Sequence, residues 1–176
     1  MKFVAEITLS TIIFLFLFSC TSSPPADTKD VCQIFTEKKS WYRAAKKSED
    51  NWNIPISVTM AFIKQESSFV ANARPERTQL LGFIPWKRKS SAKGYAQAID
   101  GTWDMYLKET GSWLKQRSNF DDAVDFIGWD NNNSAKQLGI SRDDARALYL
   151  AYHEGVSGFK RGNHRTKPWL LGVADE

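Results

Sequence analysis

The chain has 176 residues, 42% of them hydrophobic, enough for one compact domain with a core of its own. A net charge of +4 suits an anionic partner such as a cell-wall polymer, nucleic acid or lipid head groups, but is too small to choose among them. Two Cys and two His, with His153 and His164 standing apart, argue against a structural zinc site, and no metal or cofactor is expected. Seven Trp, five Tyr and eleven Phe are many for this length. Aromatics fill cores, and they also stack on the faces of sugars and bases.

Residues 1–19 read as a signal peptide. Lys2 opens it, and residues 7–18 are almost purely apolar, too short for a comfortable membrane span and suited to a signal-peptide core. Leu17-Phe18-Ser19-Cys20 resembles the lipobox of bacterial lipoproteins. That resemblance implies lipidation at Cys20 and a mature chain anchored to a membrane without spanning it. Lipidating Cys20 leaves Cys32 without a partner in its own chain; the alternatives are an uncleaved hydrophobic anchor and a Cys20–Cys32 disulfide. Residues 20–30, polar and Pro-containing, read as a flexible tether, and residues 31–176 as one domain.

In residues 31–51, Ile34, Trp41, Tyr42, Ala44 and Ala45 sit among charges, as on a surface helix with one side to a core. Pro55 suits the first turn of the next helix. There Ile56, Met60 and Ile63 recur at helical spacing, and Phe62, Glu66 and Phe69 repeat it one face over. Glu66 therefore falls beside the buried stripe. A carboxyl half-buried among apolar side chains has its pKa raised by desolvation, and a proton held near neutral pH is what a general acid needs.

Residues 70–93 show no period and carry Arg74, Arg77, Lys87, Arg88 and Lys89 against Glu76 alone; they read as a partly ordered basic flap. Asp100 is the expected N-cap of a helix carrying Trp103, Tyr106 and Leu107, stopped at Gly111. Phe120 begins another, with Asp121 and Asp122 suiting the helix dipole. Residues 130–133 read as a turn or a solvated helix face, with Gly139 as the stop. Ser141 to Asp144 resembles a capping box, after which Ala145, Leu148, Tyr149, Tyr152 and Val156 keep helical spacing. Pro168 opens a last short segment. No convincing strand alternation is present, so the fold class expected is mainly α.

Three motifs then fall in a family order. Glu66-Ser67-Ser68-Phe69 resembles the Glu-Ser-x-Phe motif of the soluble-lytic-transglycosylase domain. Gly94-Tyr95-Ala96-Gln97 with Thr102 resembles its Gly-Leu-Met-Gln and following Thr, and Ala151-Tyr152-His153-Glu154-Gly155 its Ala-Tyr-Asn-Ala-Gly. The resemblance implies a lysozyme-like helical domain that cleaves the β-1,4 bond between N-acetylmuramic acid and N-acetylglucosamine in peptidoglycan, leaving a 1,6-anhydro end. It implies Glu66 as the general acid and base. Ser67 or Ser68 then hydrogen-bonds substrate or caps the turn, and Gln97 contacts substrate or backbone. Tyr152 orients Glu66 or its sugar, or belongs to the core, and Tyr95 adds an aromatic floor to the cleft. Glu154 departs from the pattern. It would supply a second carboxylate, although its place next to Tyr152 turns it about 100° away, toward a surface or ion-pairing role.

The expected partners are glycan strands and, through the anchor, a membrane. The chain is expected to be monomeric, on the periplasmic side of the envelope, and at the outer membrane because Thr21 is not Asp. Two rivals are a hydrolytic muramidase and a non-catalytic wall-binding lipoprotein. Nucleic-acid binding lacks a motif.

Overall fold

The computed structural model describes residues 23–176, so the readings at residues 1–19 and Cys20 lie outside the described part. The Asp30 carboxylate accepts from the Cys32 and Gln33 N–H groups and starts α1, Val31–Glu37. The single helix expected here is broken at Lys38, whose backbone (φ −116°, ψ 68°) is non-helical, and α2 runs Lys39–Trp52. Ile34, Trp41, Ala44 and Ala45 are buried and Tyr42 is exposed. Asn53, in the left-handed region that Asn tolerates, turns the chain into Pro55 and α3, Ile56–Ser67.

The basic segment contains strands, contrary to the sequence reading. β1, Arg77–Leu80, pairs antiparallel with β2, Ile84–Arg88, Leu80 opposite Ile84. Residues 77–79 and 84–87 are exposed in succession, so no apolar–polar alternation marks the ribbon in the sequence. α4, Asp100–Thr110, is capped at Ile99, so Asp100 is its first residue and pairs with Arg117 at 2.7 Å. α5 is Phe120–Leu138, with Asn119 accepting from the Asp122 N–H. Residues 130–133 lie inside α5, and Asn131 and Asn132 are buried. α6, Ala145–Lys160, is capped by Asp144 and not Ser141, and it kinks at Gly155 (φ 68°, ψ 160°). A 3-10 turn, Asn163–Thr166, and α7, Pro168–Ala174, close the chain. The described residues are mainly helical, as expected.

α5 is the central helix, packed by α2, α3, α4 and α6. α2 comes so near that a Cβ on Gly128 would lie 2.5 Å from Ser48 Oγ and 2.6 Å from Trp52 Cδ1. Beside that crossing, Asp125 accepts from Trp52 Nε1 at 2.7 Å, from Tyr106 Oη at 2.6 Å and from Lys115 Nζ. Burial alone would raise the Asp125 carboxyl; its donors outweigh that and hold it below the ordinary carboxylate value. Trp41 stacks on Phe120 at 3.9 Å and on Phe69 at 5.8 Å. Phe69 directly follows the turn that ends α3, so this stack ties the functional end of α3 into the core.

Candidate active site

Glu66 lies in the last turn of α3, and the two residues after Ser67, Ser68 (φ 48°) and Phe69 (φ 62°), are both left-handed. Two such residues without a glycine store strain, and the buried Phe69 ring holds it in place. The turn sends the chain sharply away from Glu66 and leaves that carboxyl at the wall of a cleft of about 510 Å³. Burial pushes the Glu66 carboxyl up to about 7, and a hydrogen bond from Tyr149 works the other way. Tyr149 sits on α6, and its hydroxyl stays protonated as the donor because burial and the nearby carboxylate push its pKa up.

The facing wall comes from the segment after the hairpin. Gly94 takes φ +80°, and a Cβ there would come 1.9 Å from the Arg117 carbonyl oxygen, so only glycine fits. The turn it begins carries Gln97, itself left-handed at φ 46°. Gln97 Nε2 donates to the Ala73 and Gly94 carbonyls at 3.0 and 2.8 Å. Gln97 thus braces its own loop while lining the cleft. Tyr152 Oη donates to the Ala96 carbonyl at 2.5 Å, fastening this loop to α6, and its ring meets Phe62 edge-on at 5.3 Å. Tyr152 lines the cleft too, close enough to the Glu66 and Asp130 carboxylates for both to raise its pKa further, after burial.

The third wall is a stripe of α5, Phe126, Asp130 and Ser134, one helical turn apart. Asp130 accepts no hydrogen bond from any described residue, and burial pushes its carboxyl up to about 7. Two acids that hold protons near neutral pH therefore border one cleft, with the Tyr152 ring wall shared between them.

A family model for the transglycosylase SLT domain matches residues 8–176. The chain belongs to that family. No curated protein and no solved structure matches it. SLT domains act on peptidoglycan as lytic transglycosylases, so peptidoglycan glycan is the substrate class of this domain.

In this SLT domain the motif residues separate into two groups. Glu66, Gln97, Thr102 and Tyr152 line the cleft. Tyr95 does not: it is 1% exposed, with its ring edge-on to Trp41 and Phe120, so the floor expected of it is core instead. Ser67 Oγ donates to the Ile63 carbonyl at 3.1 Å and Ser68 Oγ to that of Lys64 at 3.4 Å. Both cap the end of α3, and neither lines the cleft. Glu154 is held by Lys167 at 2.5 Å, which with His153 keeps its carboxyl below the ordinary value against burial, and it does not line the cleft. His153 lines the rim, its ring edge-on to Trp169 at 5.0 Å. Among the described residues, no group of three or more His, Cys, Asp and Glu side chains is placed to hold a metal.

Sequence reasoning missed Tyr149 and Asp130. Tyr149 lies three residues before Tyr152, on the same helical face, and that spacing was its signal. Replacing it, Tyr149→Phe removes the hydrogen bond that favours ionised Glu66. The alkaline limb of a pH–rate profile is expected to move to higher pH in that variant, with the rate at pH 6 changed less than tenfold. An unmoved limb would mean that Tyr149 does not set the Glu66 proton affinity.

Proposed function

We propose that this domain cleaves the N-acetylmuramyl-β-1,4-N-acetylglucosamine bond with Glu66 as sole general acid and base, leaving a 1,6-anhydro end. The observation that carries this reading is the Glu66 carboxyl, closing α3 at the wall of a glycan-sized cleft and holding its proton up to about 7, with Tyr149 as its hydrogen-bond donor. Glu66 donates that proton to the glycosidic oxygen as the bond from the muramyl anomeric carbon breaks. The muramyl 6-hydroxyl oxygen then bonds to the same carbon, and its proton passes to the Glu66 carboxylate. Glu66 ends protonated, no water is consumed, and the substrate supplies the nucleophile, so the chemistry needs one acid where ordinary glycosidases use two. Mass spectrometry of digested peptidoglycan tests it, because an anhydro product is lighter than a hydrolysed one by one water.

A second reading, hydrolysis, is favoured by one observation: Asp130 lines the same cleft without a hydrogen-bond donor among the described residues. As a carboxylate it would take a proton from water as the water oxygen bonds to the anomeric carbon. If it does, Asp130→Asn shifts the products from reducing toward anhydro ends. If cleavage is purely intramolecular, the ratio stays all-anhydro in both proteins.

The sequence also supports a lipid anchor at Cys20, and with Thr21 after it an outer-membrane, periplasm-facing monomer. Incorporation of labelled palmitate into the wild-type chain, and its loss in Cys20→Ala, tests the anchor.

A further inference from the structure

No residue of the hairpin lines the cleft at Glu66, and its surface is unusual. Leu81 is 76% exposed, Phe83 74%, Trp86 50% and Ile84 41%. Arg77, Thr78 and Gln79 of β1 and residues 84–87 of β2 are exposed, and an isolated two-stranded ribbon is marginal in water without something to pack against. The tip is also strained. Leu81 (φ 55°) and Gly82 (φ 80°) are both left-handed, a place where Asn or Gly costs less than an exposed leucine.

Side chains are graded along the ribbon. Leu81 and Phe83 stand at the turn, Ile84 opens β2, and Trp86 and Lys87 follow, with Arg77 at the base of β1 and Lys89 just past β2. Arg88 donates to the Pro75 carbonyl and ties the base to the body. Thr78 Oγ1 donates to the Lys87 carbonyl at 2.7 Å and stiffens the ladder. Four residues of strand put the tip about 13 Å beyond that base. Apolar side chains outermost, an aromatic ring next and cations behind is the order of a bilayer interface read from acyl chains to anionic head groups. A glycan strand would use the aromatic faces but gains little from Leu81. The cations match a negatively charged surface, each contributing about 1 kcal/mol near one.

We propose that this hairpin is a membrane-docking element that inserts Leu81 and Phe83 into a bilayer containing anionic phospholipid. Its second leg runs on to Ser90 and Ala92 in the wall of the cleft, so docking fixes how the cleft faces the bilayer. The inference stands apart from the reaction at Glu66.

The test uses the full chain in vesicles of phosphatidylcholine and phosphatidylglycerol with brominated acyl chains. Trp86 emission is taken as the difference between wild type and Trp86→Phe. Quenching of that emission is expected, weaker in high salt and weaker without phosphatidylglycerol. A Leu81→Ser/Phe83→Ser variant is expected to lose it while keeping its circular dichroism, its melting temperature and its turnover of soluble glycan fragments. Lys87→Gln/Lys89→Gln is expected to lose only the dependence on phosphatidylglycerol. Trp86 emission indifferent to brominated lipid overturns the proposal. So does quenching that survives the tip variant, or a Trp86 response to purified glycan strands and not to vesicles.

Discussion

Glu66→Gln is expected to lose about 10²- to 10⁴-fold or more in turnover while glycan binding is largely kept, because the amide preserves shape and cannot donate the proton. The same substitution is expected to stabilise the protein at alkaline pH. The folded Glu66 carboxyl holds its proton up to about 7, against an ordinary value of 4.5. Folding therefore favours the protonated form, and this contribution is fully present at low pH and lost as pH rises through 7. At pH 8 wild type buries an unwanted charge that Gln lacks, a difference on the order of 2–3 kcal/mol in favour of the variant. Thermal unfolding at pH 5 and pH 8 checks it: the two melting temperatures are expected to lie close together at pH 5, with the variant higher at pH 8. A variant as active as wild type would remove the catalytic reading, and a variant no more stable at pH 8 would remove the buried-acid account of Glu66.

The second large effect concerns stability alone. Asp125→Ala leaves the Trp52 N–H, the Tyr106 hydroxyl and the Lys115 ammonium without their shared acceptor at the α2–α5 crossing. A loss of about 3 kcal/mol is expected, the cost of breaking a partly buried, hydrogen-bonded charge pair. Here the pH dependence has the opposite sign from Glu66. The folded Asp125 carboxyl lies below its ordinary value of 3.8, so its contribution is present above that value and is lost as pH falls through the depressed one. Denaturant midpoints of wild type and variant are therefore expected to converge under strongly acidic conditions. A constant gap at every pH would show that packing at this site, and not the charge, holds the helices together.

Glu66 was legible because a helix has a short period. Its spacing from Phe62 and Phe69 puts it beside the buried stripe, and three separated motifs point to the family. The helical class was legible for the same reason. The hairpin was not: it buries neither face, and a strand without a buried face carries no alternation. Asp130 read as part of a polar turn or a solvated helix face because Asp-Asn-Asn-Asn looks solvated, whereas in the fold these residues belong to α5 and Asn131 and Asn132 are buried. Tyr95 erred the other way, since its place in a motif said nothing about which side of the turn its ring would take.

The sequence by itself determined the helical class, the main stops at Gly111 and Gly139, the family and the place of Glu66 beside a buried stripe. These rest on interactions a few residues apart, or on motif order along the chain. Only the tertiary structure decided which tyrosine bonds that acid, which carboxylate shares its cleft and which motif residues are merely caps. Tyr149 and Tyr152 lie on one helical face, both edge-on to Phe62 of α3 at 5.3 Å, and how α6 is seated against that end of α3 selects between them. That seating is set by side chains packed from distant parts of the chain, and local periodicity carries no record of it.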